Sequence, residues 1–153
     1  MLNIQELFNR LSILVGQSFP DPGKDQERNR GTSLHQLACK QLGYNMFEDR
    51  GQFPDIRHQL LEIKLQTAKT IDLGLILPNS EDYFDSKKFG NYFLRHCDTR
   101  YAIFYGDSDG FNVKLTHLVL TTGKDFFKRF RRFEGKIKNG KIQIPLPNNF
   151  FSV

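Results

Sequence analysis

The chain has 153 residues, of which 39% are hydrophobic and 25% charged, a size and balance that suit one globular domain, residues 1–153, with a core of its own. No stretch approaches the roughly 18–20 consecutive apolar residues of a membrane-spanning helix. The N-terminus lacks a basic segment leading into an apolar one, so no secretory leader is expected. A formal net charge of +5 and a pI of about 9.3 favour polyanionic partners over membranes. Cys39 and Cys97 are unpatterned. They suit a reduced, cytoplasmic setting and supply neither a disulfide framework nor a zinc site.

Residues 3–15 read as a first helix: Asn3 caps it, Glu6 follows three positions on, and Leu7, Leu11, Leu14 and Val15 form a stripe ending at Gly16. Residues 17–31, rich in Pro, Gly and charge, read as a loop. A second helix is expected over 32–42, where Leu34, Leu37, Ala38 and Leu42 share a face before Gly43. A short strand is expected at 44–48, then a hairpin with arms 52–57 and 60–66, and another strand over 70–77 closed by Pro78. Ser80 caps an expected helix to about residue 96, with Gly90 its weak point. Residues 99–106 and 111–120 read as antiparallel strands joined through Asp107-Ser108-Asp109-Gly110. A helix with Phe126, Phe127, Phe130 and Phe133 on one side is expected over 124–133. Asn139-Gly140 marks a hairpin in 136–144. The sum is an α/β (α+β) fold, a mixed central β-sheet flanked by helices.

The stretch FPDIRHQLLEIK, residues 53–64, carries the chemistry. A loop centred on His58-Gln59 pairs residue 56 with 61 and sets Asp55 opposite Glu62, with Cβ atoms about 5 Å apart on one face. Lys64, two residues beyond Glu62, shares that face. Opposed carboxylates repel, and a divalent cation that takes oxygen ligands removes the repulsion. Two carboxylates there can share one Mg²⁺, which activates water for attack on phosphorus, while Lys64 holds or deprotonates the water or offsets charge. The same alternation of Leu61, Ile63 and Leu65 with Glu62, Lys64 and Gln66 also describes a strand with one solvated face, and the spacing leaves both readings open.

Pro54-Asp55 followed by Glu62-Ile63-Lys64 resembles the motif of the PD-(D/E)XK nuclease superfamily, which includes the type II restriction endonucleases. The compact spacing is similar to that of the MutH-like branch, the mismatch-repair nickases and their restriction relatives. The helix running into Leu42-Gly43-Tyr44 lies upstream of the motif, as in that superfamily, and KIQIPLPNNFF loosely resembles the branch's closing segment. The resemblance implies a restriction-endonuclease-like fold, Mg²⁺-dependent hydrolysis of DNA phosphodiesters, and metal ligation by Asp55, Glu62 and the backbone carbonyl of Ile63. One departure stands out. Many members carry a further acid on the preceding helix, whereas residues 32–42 hold none, and His35 and Gln36 take its outer face.

Gln66 follows Lys64 on the same face and can orient water or touch a phosphate; Asp72 is a weaker, indirect candidate. Arg28, Arg30, His35 and Lys40 precede the hairpin and are candidates for the DNA backbone. Lys128, Arg129, Arg131 and Arg132 interleave with the phenylalanine stripe, giving either a phosphate-tracking face or a plainly solvated one. The four histidines have no metal-ligand spacing. The 107–110 loop lacks the glutamate of a calcium-binding loop, and no phosphate-binding loop or nucleophile triad is present. The expected function is a Mg²⁺-dependent endonuclease acting on double-stranded DNA, as a possible homodimer, since cutting both strands takes two sites. The alternatives are a repair nickase, a catalytically inactive DNA-binding module on the same fold, and a protein-interaction domain with a basic surface.

Overall fold

A computed structural model describes residues 1–23, 27–45, 53–68, 70–73, 76–89, 92–130, 137–138 and 141–145; for 27, 70–72, 85–89, 92, 137–138 and 141–145 it describes the backbone. In chain order the elements are α1 (Ile4–Ser12), β1 (Ser18–Pro20), α2 (Glu27–Gln41), β2 (Leu61–Gln66), β3 (Thr70–Asp72), β4 (Tyr83–Phe89), β5 (Tyr92–Arg95), β6 (Arg100–Ser108), β7 (Asn112–Thr122), α3 (Phe126–Arg129), β8 (Ile137–Lys138) and β9 (Lys141–Pro145). Short 3-10 turns lie at Arg57–Gln59 and His96–Asp98. The protein is α+β, built around a curled, mixed four-stranded sheet in the order β1-β7-β6-β2. Two compact units divide the chain: Met1–Thr67 with Tyr101–Leu120, and Ala68–Arg100 with Thr121–Val153.

In the first unit α1 begins where expected. The Asn3 side chain accepts from the Glu6 N–H at 2.8 Å, and Glu6 pairs with Arg10 one turn on at 2.7 Å. The helix ends three residues earlier than the apolar stripe, tightening through Leu14 N–H to the Leu11 carbonyl, and Leu14 stays in the core. The second helix is longer than the 32–42 expectation. Glu27–Gly31 extends it, because charged helix formers continue the turn that the punctuation around Gly31 masked. It stops in a Schellman motif at Gly43 (φ +86): Tyr44 N–H reaches the Cys39 carbonyl and Gly43 N–H the Lys40 carbonyl.

The 17–31 stretch is therefore not all loop. Besides the start of α2 it contains β1, a three-residue edge strand antiparallel to β7 with Phe19 opposite Val113, and Pro20 ends it where no ladder donor is needed. The β6–β7 hairpin forms as expected, its turn closed by Asp109 accepting from the Phe111 and Asn112 N–H groups. Leu7, Leu11, Leu34, Ala38, Leu61, Ile63, Ala102, Phe104, Val113 and Leu115 fill one continuous core, so α1 and α2 lie on the sheet face that these strand residues supply.

The second unit departs most from the sequence reading. The expected helix over 80–96 is instead the antiparallel hairpin β4–β5, with Phe89 opposite Tyr92 and Lys88 opposite Phe93. Tyr83, Phe84, Phe89, Tyr92 and Phe93 are strand-favouring residues, and the Gly90-Asn91 dipeptide between the strands is a hairpin signal rather than a helical weak point. Of the strand expected over 70–77, β3 forms and pairs with β9, Leu73, Ile76 and Leu77 are not in a strand, and 74–75 lie outside the described residues. Tyr44 and Asn45 are not in a strand, and 46–48 lie outside the described residues. Strands β8 and β9 pair about the Asn139-Gly140 position as expected. Of the helix expected over 124–133, the single turn α3 forms, and 131–133 lie outside the described residues. Phe130 is already extended (φ −108, ψ 150), and it stacks on Phe126 with centroids 4.6 Å apart, both rings buried.

Candidate functional site

Around residue 58 the register anticipated from the sequence is present at its innermost rung. Ile56 and Leu61 exchange both backbone hydrogen bonds, at 2.9 and 3.1 Å, across the 3-10 turn. Leu60 closes the turn in the left-handed region (φ 49), a conformation that costs a non-glycine residue about 1 kcal/mol. The turn is anchored by Gln59, which accepts from the Leu2 N–H at 3.0 Å and donates to the Tyr44 hydroxyl at 2.8 Å. His58 packs edge-on against the Tyr44 ring.

Beyond that rung the expected two-stranded ladder gives way to a side-chain construction, and residues 53–55 are not a strand. The Asp55 carboxylate accepts from the Ile63 N–H at 2.8 Å. Reciprocally, the Asp55 N–H donates to Glu62 Oε2 at 3.1 Å. Lys64 Nζ lies 3.1 Å from Glu62 Oε1. Asp55, Glu62 and Lys64 are thus brought together, with the Ile63 backbone between the latter two.

This polar row is not a wet face. Glu62 is 7% exposed and Gln66 8%, while the Lys64 side chain keeps 26% of its surface. A solvated hairpin face would leave all three open. Burial pushes the Glu62 carboxyl up to about 7, and the nearby Asp55 charge adds to the effect; Lys64 and the Asp55 N–H pull the other way without cancelling it. Tyr101 on β6 and Cys39 on α2 sense the same charges. Burial raises both, with Glu62 adding to the phenol's shift and Asp55 to that of the thiol, which reaches about 11. Tyr101 was not a sequence candidate. Its place near Glu62 comes from β2 and β6 being sheet neighbours, and no local spacing encodes that.

Among the proposed DNA contacts, Arg28 and Lys40 on α2 are exposed. Arg30 and His35 are buried, 7% exposed each, rather than on an open face. Arg30 clamps Asp21 in a bidentate pair, Nε to Oδ1 at 2.8 Å and Nη2 to Oδ2 at 2.7 Å. Asp21 also accepts from Gly23 N–H and the Ser108 hydroxyl, and the Arg30 and Ser108 bonds hold its carboxyl well below the usual range. In the second unit, Lys128 and Arg129 are exposed on α3, with Lys128 2.7 Å from Asp125. Arg131 and Arg132 lie outside the described residues, as does the Asp72 side chain. No group of three or more His, Cys, Asp or Glu side chains converges among the described residues, and no helix among them is long and apolar enough to cross a membrane. No protein-family model matches the chain, nor does any curated protein or solved structure.

Proposed function

We propose that this protein is a Mg²⁺-dependent DNA endonuclease, of restriction type, hydrolysing phosphodiester bonds in double-stranded DNA. The observation that carries the reading is the convergence of Asp55 on buried Glu62, with Lys64 beside them. Two carboxylates with one ammonium stand in a partly dry site, where burial first and the Asp55 charge second make ionisation of Glu62 costly and raise its carboxyl to about 7. A hard divalent cation with a taste for oxygen is the partner this donor set suits. Asp55 and Glu62 would hold it, with the Ile63 carbonyl as a third oxygen.

The ion, when bound, would supply Lewis acidity that polarises the phosphate and makes a bound water easier to deprotonate. The chain's own groups do the rest. Lys64, tethered to Glu62 and still open to solvent, can hydrogen-bond the attacking water or the phosphate oxygens and offset charge that grows as the phosphorus centre is attacked. The Gln66 amide, on the same strand face, is suited to orient either group. Arg28, Lys128 and Arg129 are exposed cations available to backbone phosphates, and each such contact would steepen the salt dependence of binding. Cutting both strands calls for a second site, hence a homodimer on the DNA.

The test is plasmid cleavage with Mg²⁺ and with EDTA, comparing wild type and Lys64→Ala on DNA from several sources. Nicked circles or discrete fragments that need both Mg²⁺ and Lys64 are expected. Salt-steep binding without cleavage would instead identify a non-catalytic DNA-binding module.

A further inference from the structure

The turn that joins the two proposed ligands is built more firmly than a chain reversal needs. Asp55 and Glu62 immediately flank the Ile56–Leu61 rung, and residues 57–60 close the loop beyond it. Gln59, 5% exposed, uses both ends of its amide. It accepts from the Leu2 N–H ahead of α1 and donates to the Tyr44 hydroxyl behind α2. The Tyr44 ring in turn meets His58 edge to face, with centroids 4.5 Å apart. Inside the turn, the Gln59 N–H reaches the Ile56 carbonyl and the Leu60 N–H the Arg57 carbonyl. Leu60 occupies the left-handed region (φ 49), where glycine is the residue with least strain. Strain of this kind persists only where the surrounding contacts impose it, and it clusters at binding sites.

One side chain of this turn has no structural task. Arg57 is exposed, and among the described residues it makes no ion pair and no side-chain hydrogen bond. The site's two acids are engaged elsewhere, Asp55 with the Ile63 N–H and Glu62 with the Asp55 N–H and Lys64. Arg57 stands two residues from Asp55, so at most about 7 Å of chain separates them. We propose that Arg57 is a substrate-contacting residue, which binds the DNA-backbone phosphate next to the one attacked at Asp55 and Glu62 from a position that Gln59 fixes. The inference rests on the nuclease reading above and adds to it a residue that neither motif nor spacing singled out. The planar guanidinium fork matches the oxygens of a phosphate with two parallel hydrogen bonds. A fixed root leaves only the side chain to be ordered on binding, which strengthens the contact.

The experiment is fluorescence anisotropy of the full chain in EDTA, titrated onto a random-sequence duplex at several salt concentrations, with plasmid cleavage in Mg²⁺ run beside it. Arg57→Gln should lower the slope of log affinity against log salt by about 1, for the one phosphate lost, and weaken binding about tenfold. Arg57→Lys, which keeps the charge, should restore the slope. In cleavage, Arg57→Gln should raise KM and leave kcat alone. Gln59→Met fills the same space without either hydrogen bond. It should weaken duplex binding when Arg57 is present and add nothing to Arg57→Gln. Matching thermal melts would show that the variants fold. A wild-type slope in Arg57→Gln would overturn the proposal, as would absence of duplex binding by the wild type; effects of the two substitutions that simply add would overturn the part given to Gln59. Cleavage that needs Lys64, with a wild-type slope in Arg57→Gln, would remove Arg57 and leave the nuclease standing. A slope that drops in Arg57→Gln, with no Mg²⁺-dependent cleavage by the wild type, would do the reverse.

Discussion

Glu62→Gln should make this protein more stable at pH 8 while removing its proposed activity. Burial and the Asp55 charge raise the Glu62 carboxyl from 4.5 to about 7 in the folded chain. Between those pH values the native state holds a proton that the unfolded chain has released. Stability from this group is therefore undiminished below pH 4.5, falls as pH rises through the window, and carries the whole penalty above about 7. At about 1.4 kcal/mol per pH unit, the interval corresponds to about 3 kcal/mol. Glutamine keeps the shape and an acceptor for the Asp55 N–H but does not titrate, and Lys64 is open enough to turn to water. Urea unfolding in EDTA at pH 4, 6 and 8 reads the effect directly. The variant-minus-wild-type difference should climb by about 3 kcal/mol in favour of glutamine from pH 4 to pH 8. Saturating Mg²⁺ should stabilise only the wild type, by about 2.7 kcal/mol at a hundredfold excess over Kd. A difference that stays flat across pH would refute the claim that the Glu62 charge is held at the expense of stability.

Asp55→Asn keeps an acceptor for the Ile63 N–H and removes the charge, so it should fold with wild-type stability to within about 1 kcal/mol and lose Mg²⁺-dependent cleavage; Asp55→Ala, which orphans that N–H, should lose about 1–3 kcal/mol in the same urea assay. Arg30→Ala, which opens the buried clamp on Asp21, should lower the urea midpoint clearly, whereas exposed Arg28→Ala should leave the midpoint alone and reduce the salt slope of DNA binding by about 1. Gly123→Ala should destabilise by about 2 kcal/mol or more, read by thermal melting, because a new Cβ would overlap the Pro78 carbonyl oxygen and lie 3.0 and 3.1 Å from Cys97 backbone atoms.

Local signals carried much of the fold. The Asn3 cap, the Gly43 stop, the apolar run of β6 with the alternation of β7, and the Asn139-Gly140 pair each act within a few residues, and each element stands where its signal lies. The failures share a cause, which is that a short apolar or aromatic run reads the same at either period until its partner is known. Residues 83–95 contain enough aromatics to suggest a helix face after Ser80, and cross-strand pairing settles them as a ribbon. The Phe126–Phe130 spacing is helical, but one turn suffices to stack those rings, and the backbone extends at Phe130. At the site, the pairing of Asp55 with Glu62 was legible because a single rung at Ile56 and Leu61 fixes it. Tyr101, from a strand distant in sequence, was not. Arg30 shows the limit of reading charge as surface: its pairing with Asp21 depends on a loop folding back nine residues, which composition cannot reveal.

The Asp55–Glu62 arrangement also explains why spacing could not separate a site from a polar face. Each carboxylate has a structural task, since one closes on the Ile63 N–H and the other on the Asp55 N–H, replacing ladder bonds that the irregular 53–55 segment does not make. Asparagine and glutamine would serve that task without mutual repulsion, and so would an ordinary second strand. What the structural task does not require is charge. Here both residues are ionisable and one of them is buried, so Glu62 becomes charged only at a cost that raises its carboxyl to about 7, with Lys64 too exposed and too singular to offset it. A sequence shaped only for this turn would shed that charge. Retaining it makes physical sense when a cation arrives to use it, and the opposite signs expected for stability and activity in Glu62→Gln follow from that one conflict.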